Sequence, residues 1–247
     1  MEAIKALSLG KLTLGGKSVA LVAPNGSGKT SNCIAPAILY FLTCFPRGQV
    51  PVTSSSWMQV EKQLFPALRR YMDNPFFAGW TFNKTEIRTP EGGFAVGFST
   101  DNAGRAEGWH PKISPDVDPV FYVLDEAKTI PDSIFTAVSR CTLSHAFITS
   151  SPGADSGTFY DCFHKNSSLY YKIRVKYEDC PHIEINDPGK AERLKKEYGE
   201  QSSFYRSAIL GEFTDLDGQS VISRRALMEL VNNPPPFLDT GETCGGF

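Results

Sequence analysis

The sequence has no hydrophobic run long enough to cross a bilayer. Its longest, residues 34–45, is broken by Pro36 and Thr43, whereas a span needs about 20 consecutive apolar residues. No secretory segment opens it, because Glu2 and Lys5 stand where an apolar stretch would have to begin. It also lacks an excess of one charge. Lys and Arg number 25 against 27 Asp and Glu, a net charge of −2, so bulk electrostatics do not mark a nucleic-acid binder, and any DNA contact has to come from a local patch or an assembled ring. The six cysteines, Cys33, Cys44, Cys141, Cys162, Cys180 and Cys244, form no CxxC pair and follow no zinc spacing, which reads as reduced thiols of a cytosolic protein. Internal repeats and low-complexity tracts are absent. What remains is a chain of 247 residues, 41% apolar and 21% charged: one large domain, or a domain with a small appendage, able to bury a full core without staples.

Short β-type runs alternate with helical stretches, which points to an α/β fold with a parallel sheet and helices on its faces. Residues 18–23 (SVALVA) read as a buried strand, followed by a glycine loop and a helix over 31–45. Residues 49–55 read as a second strand whose pairing Pro51 delays. Ser56 with Gln59 forms a capping box, and the helix behind it carries Val60, Leu64, Leu68 and Tyr71 with a kink expected at Pro66. A hairpin over 81–100 turns at Pro90–Gly93. Residues 119–127 (PVFYVLDEA) are a central strand ending in two acids, 131–141 a helix, 145–151 another buried strand, 156–165 a short helix and 168–177 a strand. Polar helices over 190–198 and 203–210 are closed by Gly199 and Gly211, and 232–236 is a proline-rich break.

Residues 23–30, Ala23, Pro24, Asn25, Gly26, Ser27, Gly28, Lys29 and Thr30, fit the Walker A pattern with Ala23 where the first glycine usually stands. Gly26 and Gly28 let the backbone curl until successive N–H groups point at phosphate oxygens, and the following helix presents its positive end to the same anion. Lys29 reaches the β- and γ-phosphates of ATP and the Thr30 hydroxyl ligates Mg²⁺. Asp125 ends an apolar strand, where it holds Mg²⁺ through its water shell, or else caps the helix that follows. Glu126 points differently and can deprotonate an attacking water. In residues 148–153 (ITSSPG) the strand ends in Thr149, Ser150 and Ser151. Strand ends of a parallel sheet line one ligand-bearing edge, although a simple Ser-Pro-Gly turn also accounts for them.

Five stretches together, APNGSGKT, VTSSSWMQVEKQLFPAL, RAEGWHP, YVLDEAKTIPD and ITSSPGADSGTFYDCFHK, with EYGEQSSFYRSAILGEF at 197–213, resemble the ATPase domain of the large terminase subunit, the DNA-packaging motor of tailed double-stranded DNA bacteriophages. The resemblance runs from about 18 to 222. It implies a three-layer P-loop ATPase core of the ASCE type with a mostly parallel sheet over 1–178, a lid subdomain over 179–232 and a linker over 233–247. It implies Lys29 and Thr30 on phosphate and Mg²⁺, Asp125 on Mg²⁺, Glu126 as catalytic base, and Thr149, Ser150 and Ser151 as the motif coupling hydrolysis to subdomain motion. Such motors form homo-oligomeric rings (a pentamer) on the portal protein of a procapsid in the host cytoplasm, with double-stranded DNA and the small terminase subunit as partners and no membrane. One subunit's arginine completes its neighbour's site; Arg105 is the first candidate and Arg140 the second. The family's C-terminal nuclease would follow Phe247, so the expectation is an ATPase without nuclease activity.

Other assignments stay open. Adenine contact could fall to Asn25, Lys11 or the region of Gln59. Arg69, Arg70, Lys84, Arg88, Lys172, Arg174 and Lys176 could touch DNA phosphates without reading sequence, or simply be solvated. A P-loop helicase-like enzyme, a nucleotide kinase, or a nucleotide-dependent docking module with negligible turnover are the competing functions. No arginine-rich lid of the kinase kind is found in the sequence.

Overall fold

The computed structural model describes residues 18–99, 103–214 and 230–232. The chain divides into two compact units, Met1–Thr214 and Asp215–Phe247. Of the second, Leu230–Asn232 is a helical turn, and the expected linker over 233–247 lies outside the described residues.

In the first unit, eight strands, β1 (Ser18–Val22), β2 (Gln49–Thr53), β3 (Thr81–Asn83), β4 (Glu86–Arg88), β5 (Phe94–Gly97), β6 (Phe121–Leu124), β7 (His145–Ser150) and β8 (Tyr170–Arg174), form one open sheet in the order β3-β4-β5-β2-β6-β7-β1-β8. From β5 to β8 every pairing is parallel, and β3, β4 and β5 form an antiparallel meander. The expected hairpin turn at Pro90–Gly93 joins β4 to β5, with β3 added beside it. Helix α1 comprises Lys29–Ile34 and Ala35–Cys44, and α2 comprises Trp57–Gln59, Val60–Leu64 and Phe65–Met72. Then follow α3 (Asp132–Ser139), α4 (Thr158–Asp161), α5 (Pro181–Asn186), α6 (Lys190–Tyr198) and α7 (Ser203–Tyr205 with Arg206–Leu210). This is the expected three-layer α/β arrangement; α5 was not anticipated.

Period-two alternation in fully buried strands builds two cores. Val19, Leu21, Val52, Val123 and Phe147 face α1 and α2, where they meet Ile34, Ile38, Leu42, Val60, Leu64, Phe65 and Leu68. Ala20, Val22, Tyr122, Leu124 and Ile148 face the opposite way, onto Ile134, Phe135 and Val138 of α3 and Phe159 of α4. Gly97 allows β5 to lie close under α2, since a Cβ there would fall 2.5 Å from a Val60 methyl.

Prolines shape both helices of the first layer. The kink expected at Pro66 takes the form of a widened turn, in which the Phe65 N–H donates to Val60 O, five residues back. The same widening precedes Pro36, where the Ala35 N–H donates to Thr30 O. A proline cannot donate to the carbonyl four residues before it and its ring crowds that carbonyl, and a widened turn relieves both problems. Pro51 acts on one side of β2 alone. Pairing with β5 begins at Gln49, whereas the continuous register with β6 starts at Val52, beyond a lone bridge at Gln49.

Candidate active site at the C-terminal edge of the sheet

The ends of β1, β6 and β7 converge at one edge. β1 runs into the glycine loop, and the Ala23 N–H donates to Ser150 O at 3.1 Å, tying the loop to the end of β7. Gly26 and Gly28 both have φ of +81°, the left-handed region that an L side chain resists. At Gly28 a Cβ would also stand 2.5 Å from the Asn32 amide. The glycines are therefore needed both for the curl and for the close start of α1.

Lys29 is buried, and its Nζ donates to Ala23 O at 3.3 Å and Pro24 O at 3.2 Å. Burial pulls its pKa down, while Glu126 and then Asp125 oppose that shift. Thr30 Oγ1 donates to Asp125 Oδ2 at 3.2 Å, across 95 residues of sequence. Asp125 is buried, its N–H donates to Thr53 O of β2 at 2.9 Å, and its pKa is pushed up to about 6 by burial and then by the neighbouring Glu126. Its second oxygen accepts the Glu126 N–H at 2.9 Å. The alternative helix-cap role does not arise, because the short turn Ala127–Thr129 is preceded by Glu126 and α3 by Pro131.

Glu126 has φ of +51°, alone among the described non-glycine residues in being positive. A backbone there costs on the order of 1–3 kcal/mol and persists only where its surroundings fix it. The result turns Glu126 away from Asp125, so that one acid lies buried against Thr30 and the other lines an open pocket.

The serines at the end of β7 fasten this acid loop. Ser150 Oγ donates to Glu126 Oε2 at 3.4 Å and accepts the Lys128 N–H at 3.3 Å. Lys128 Nζ donates to Ser151 Oγ at 2.7 Å. Thr149 is buried and its hydroxyl has no partner among the described residues. Beyond β7 the path continues: Ser207 Oγ donates to Pro152 O at 3.0 Å and the Thr214 N–H to Gly153 O at 3.1 Å. Residues 203–214 thus hang directly from the strand whose end touches the acids. On the other side of the loop, His182 Nε2 lies 3.0 Å from Gly26 O.

A pocket of about 390 Å³ opens beside the loop, lined by Asn25, Gly26, Gly28–Ser31 and Glu126 on one side and by Lys62, Gln63, Pro66, Ala67 and Arg70 of α2 on the other. Sequence reasoning missed this α2 wall. Its signal was the recurrence of 62, 66 and 70 on one helical face. Lys128 and His182 also went unnamed.

Several candidates lie elsewhere. Arg105 is exposed in the turn Ala103–Arg105 and Arg140 is bound to Glu107 at 2.7 Å; neither lines the pocket. The Gln59 side-chain oxygen is occupied by the hydroxyls of Ser54, Ser55 and Ser56. Ser56 caps α2 as expected, but Gln59 answers with these hydroxyls rather than closing a capping box. Lys11 lies outside the described residues. Of the basic residues considered for DNA, Lys84 is paired with Glu61, Arg88 with Glu86 and Lys176 with Glu178. Arg69 lies over Phe82, and Arg174 over Phe163 and Phe213. Among the described residues the cysteines are free thiols and no helix is long and apolar enough to cross a membrane.

No family model and no curated protein sequence matches the chain. Solved structures do. The large terminase of a thermophilic bacteriophage matches in its ADP complex with a TM-score of 0.59 at 13% identity over 84% of this chain and 49% of that one. The same protein with ATP-γ-S gives 0.59, 13%, 84% and 48%. The ATPase domain of the Thermus phage P74-26 large terminase matches with a TM-score of 0.58 at 17% identity, over 81% of this chain and 91% of that one. The fold is that of a large terminase ATPase domain. At these identities the likeness is one of fold, an α/β P-loop NTPase, and the chain spans about half the length of the nucleotide-bound terminase.

Proposed function

We propose that this chain is the ATP-hydrolysing part of a viral genome-packaging motor, which moves double-stranded DNA into a preformed capsid. The observation that carries the reading is the continuous hydrogen-bonded path Thr30–Asp125–Glu126–Ser150, which joins the phosphate loop, the acid pair and the end of β7.

Thr30 Oγ1 and Asp125 Oδ2 are hard oxygen donors that already lie together, a pair suited to Mg²⁺. Bound there with ATP, Mg²⁺ would neutralise charge on the phosphate oxygens. Lys29 would leave the Ala23 and Pro24 carbonyls for the phosphates. Glu126, turned to the pocket, takes the proton of an attacking water, with the Ser150 hydroxyl orienting its carboxylate. Lys128 and Ser151 carry any displacement of the acid loop into β7, and from there Pro152 and Gly153 carry it to residues 203–214. In this reading the working form is a ring on a portal, with the small terminase subunit as partner, acting in the host cytoplasm. Arg105 is exposed and so placed that a neighbouring subunit could meet it.

Phosphate release from Mg-ATP, without an added acceptor and across a range of protein concentrations, tests the proposal. Release per subunit should climb with concentration as shared sites assemble, and Glu126→Gln should keep nucleotide affinity while lowering the turnover rate by about 10²–10⁴. No release at any concentration would leave a nucleotide-dependent docking module. Unchanged turnover in Glu126→Gln would remove Glu126 from the role of base.

A further inference from the structure

The α2 wall of the pocket has a chemistry of its own. Lys62, Pro66 and Arg70 recur every four residues, with Gln63 and Ala67 beside them, so one helical face looks into the cavity. Two cations bracket two small residues, and the small residues leave room between α2 and the phosphate loop. Lys62 is already engaged with Glu61 at 3.3 Å. Arg70 makes no hydrogen bond or ion pair among the described residues, and it is exposed. Its anchor is fixed nonetheless. Leu68 is fully buried, and Tyr71, the residue after Arg70, donates its hydroxyl to Ser31 O at 2.8 Å. A guanidinium is therefore presented to the same cavity as Lys29, Thr30 and Glu126, one residue from a bond to the first turn of α1.

We propose that Arg70 binds the terminal phosphate of a nucleoside triphosphate in cis and thereby makes the pocket prefer a triphosphate to a diphosphate. The inference rests on the nucleotide-hydrolysing reading of this site. The loop amides and Lys29 suffice to hold a diphosphate. A third phosphate adds negative charge beside Glu126, a carboxylate, and needs a cation on the facing wall. Arginine suits that place because its charge is fixed and its planar fork donates two parallel hydrogen bonds to phosphate oxygens. When the terminal phosphate leaves, Arg70 loses its partner and the bound diphosphate is held less tightly.

The test is equilibrium binding of ADP and of ATP-γ-S, with Mg²⁺, to the wild-type chain, Arg70→Ala, Arg70→Lys and Lys29→Ala, with thermal unfolding of each. Arg70→Ala should weaken ATP-γ-S by about tenfold to a hundredfold and leave ADP affinity and the unfolding temperature close to wild type. Arg70→Lys should recover part of the loss, and Lys29→Ala should weaken both nucleotides. The preference should be the same at low and high protein concentration, because the residue belongs to the chain that holds the nucleotide. Equal loss of both nucleotides in Arg70→Ala, loss of neither, or a preference that appears only at high concentration would overturn the inference alone. A wild-type chain that bound neither nucleotide would overturn the underlying reading of the site along with it.

Discussion

The two faces of the sheet are built differently. The face under α1 and α2 carries the pocket. Its helices contain proline and a widened turn each, and its polar groups reach across from one helix to the other, as Tyr71 does to Ser31. The opposite face has only a much smaller opening, of about 40 Å³, between α3 and α4. There α3 and α4 pack on Tyr122, Leu124 and Ile148, and an aromatic group of Phe159, Tyr160, Phe163, His164 and Phe213 closes over them. Arg174 lies against two of those rings, 4.7 Å from the centroid of Phe163 and 5.6 Å from that of Phe213. Burial on one side leaves a cavity lined by the glycine loop, Glu126 and α2, and burial on the other fastens residues 203–214 to the core. The stretches around 156–165 and 197–213 thus contribute attachment rather than chemistry.

The sharpest way to break this contrast is Phe159→Ala. It should cost about 3–5 kcal/mol of stability, measured by urea unfolding, while nucleotide affinity stays within about twofold. A parallel collapse of affinity would mean that the two faces act as one cooperative unit around the site. The next effect belongs to the edge where both faces meet. The Asp125 carboxyl, pushed up to about 6 in the folded chain, starts from about 3.9 when unfolded. The folded chain holds this proton more tightly, so the associated stability is whole below about pH 4 and is lost as pH rises through about 6, roughly 3 kcal/mol in all. Unfolding measured in the absence of nucleotide should follow that slope, and Asp125→Asn should flatten it. The smallest effect is expected from Lys128→Met. Losing the bond to Ser151 should remove about 1 kcal/mol and lower turnover several-fold with nucleotide affinity unchanged. An unaltered rate would take Lys128 out of the path between the acid loop and β7.

Much of this was legible in the sequence for a physical reason. Buried parallel strands are short continuous apolar runs, and β1, β6 and β7 are marked by the glycine loop, the acid pair and the serine run at their ends. Gly26, Gly28, Lys29, Thr30, Asp125 and Glu126 all fall at one edge, as the pattern of the residues requires. What was hidden depends on direction rather than type. Arg70 reads as one more solvated or DNA-facing arginine until α2 is laid against α1, because the spacing of 62, 66 and 70 marks a shared face without saying what that face looks upon. Arg174, whose strand alternation suggested an open surface, is exposed, and its guanidinium also lies against the rings of Phe163 and Phe213, a contact that no alternation reveals. The short helix α5 escaped because six residues are too few for a period to show, and its approach to Gly26 through His182 is a tertiary contact.

The place of β1 in the sheet has a consequence for how the molecule comes into being. The strand that leads into the glycine loop lies between β7 and β8, and the Ala146 N–H reaches back across 128 residues to the Ser18 hydroxyl. On a ribosome adding about 5–20 residues per second, roughly seven to thirty seconds separate the synthesis of β1 from that of both its neighbours. During that interval an apolar strand waits with both edges unpaired, a state open to chaperones and to other nascent chains. The pairing that holds the start of the glycine loop in place is therefore among the last parts of the sheet to form, and it is complete only when the chain has been made at least as far as Arg174.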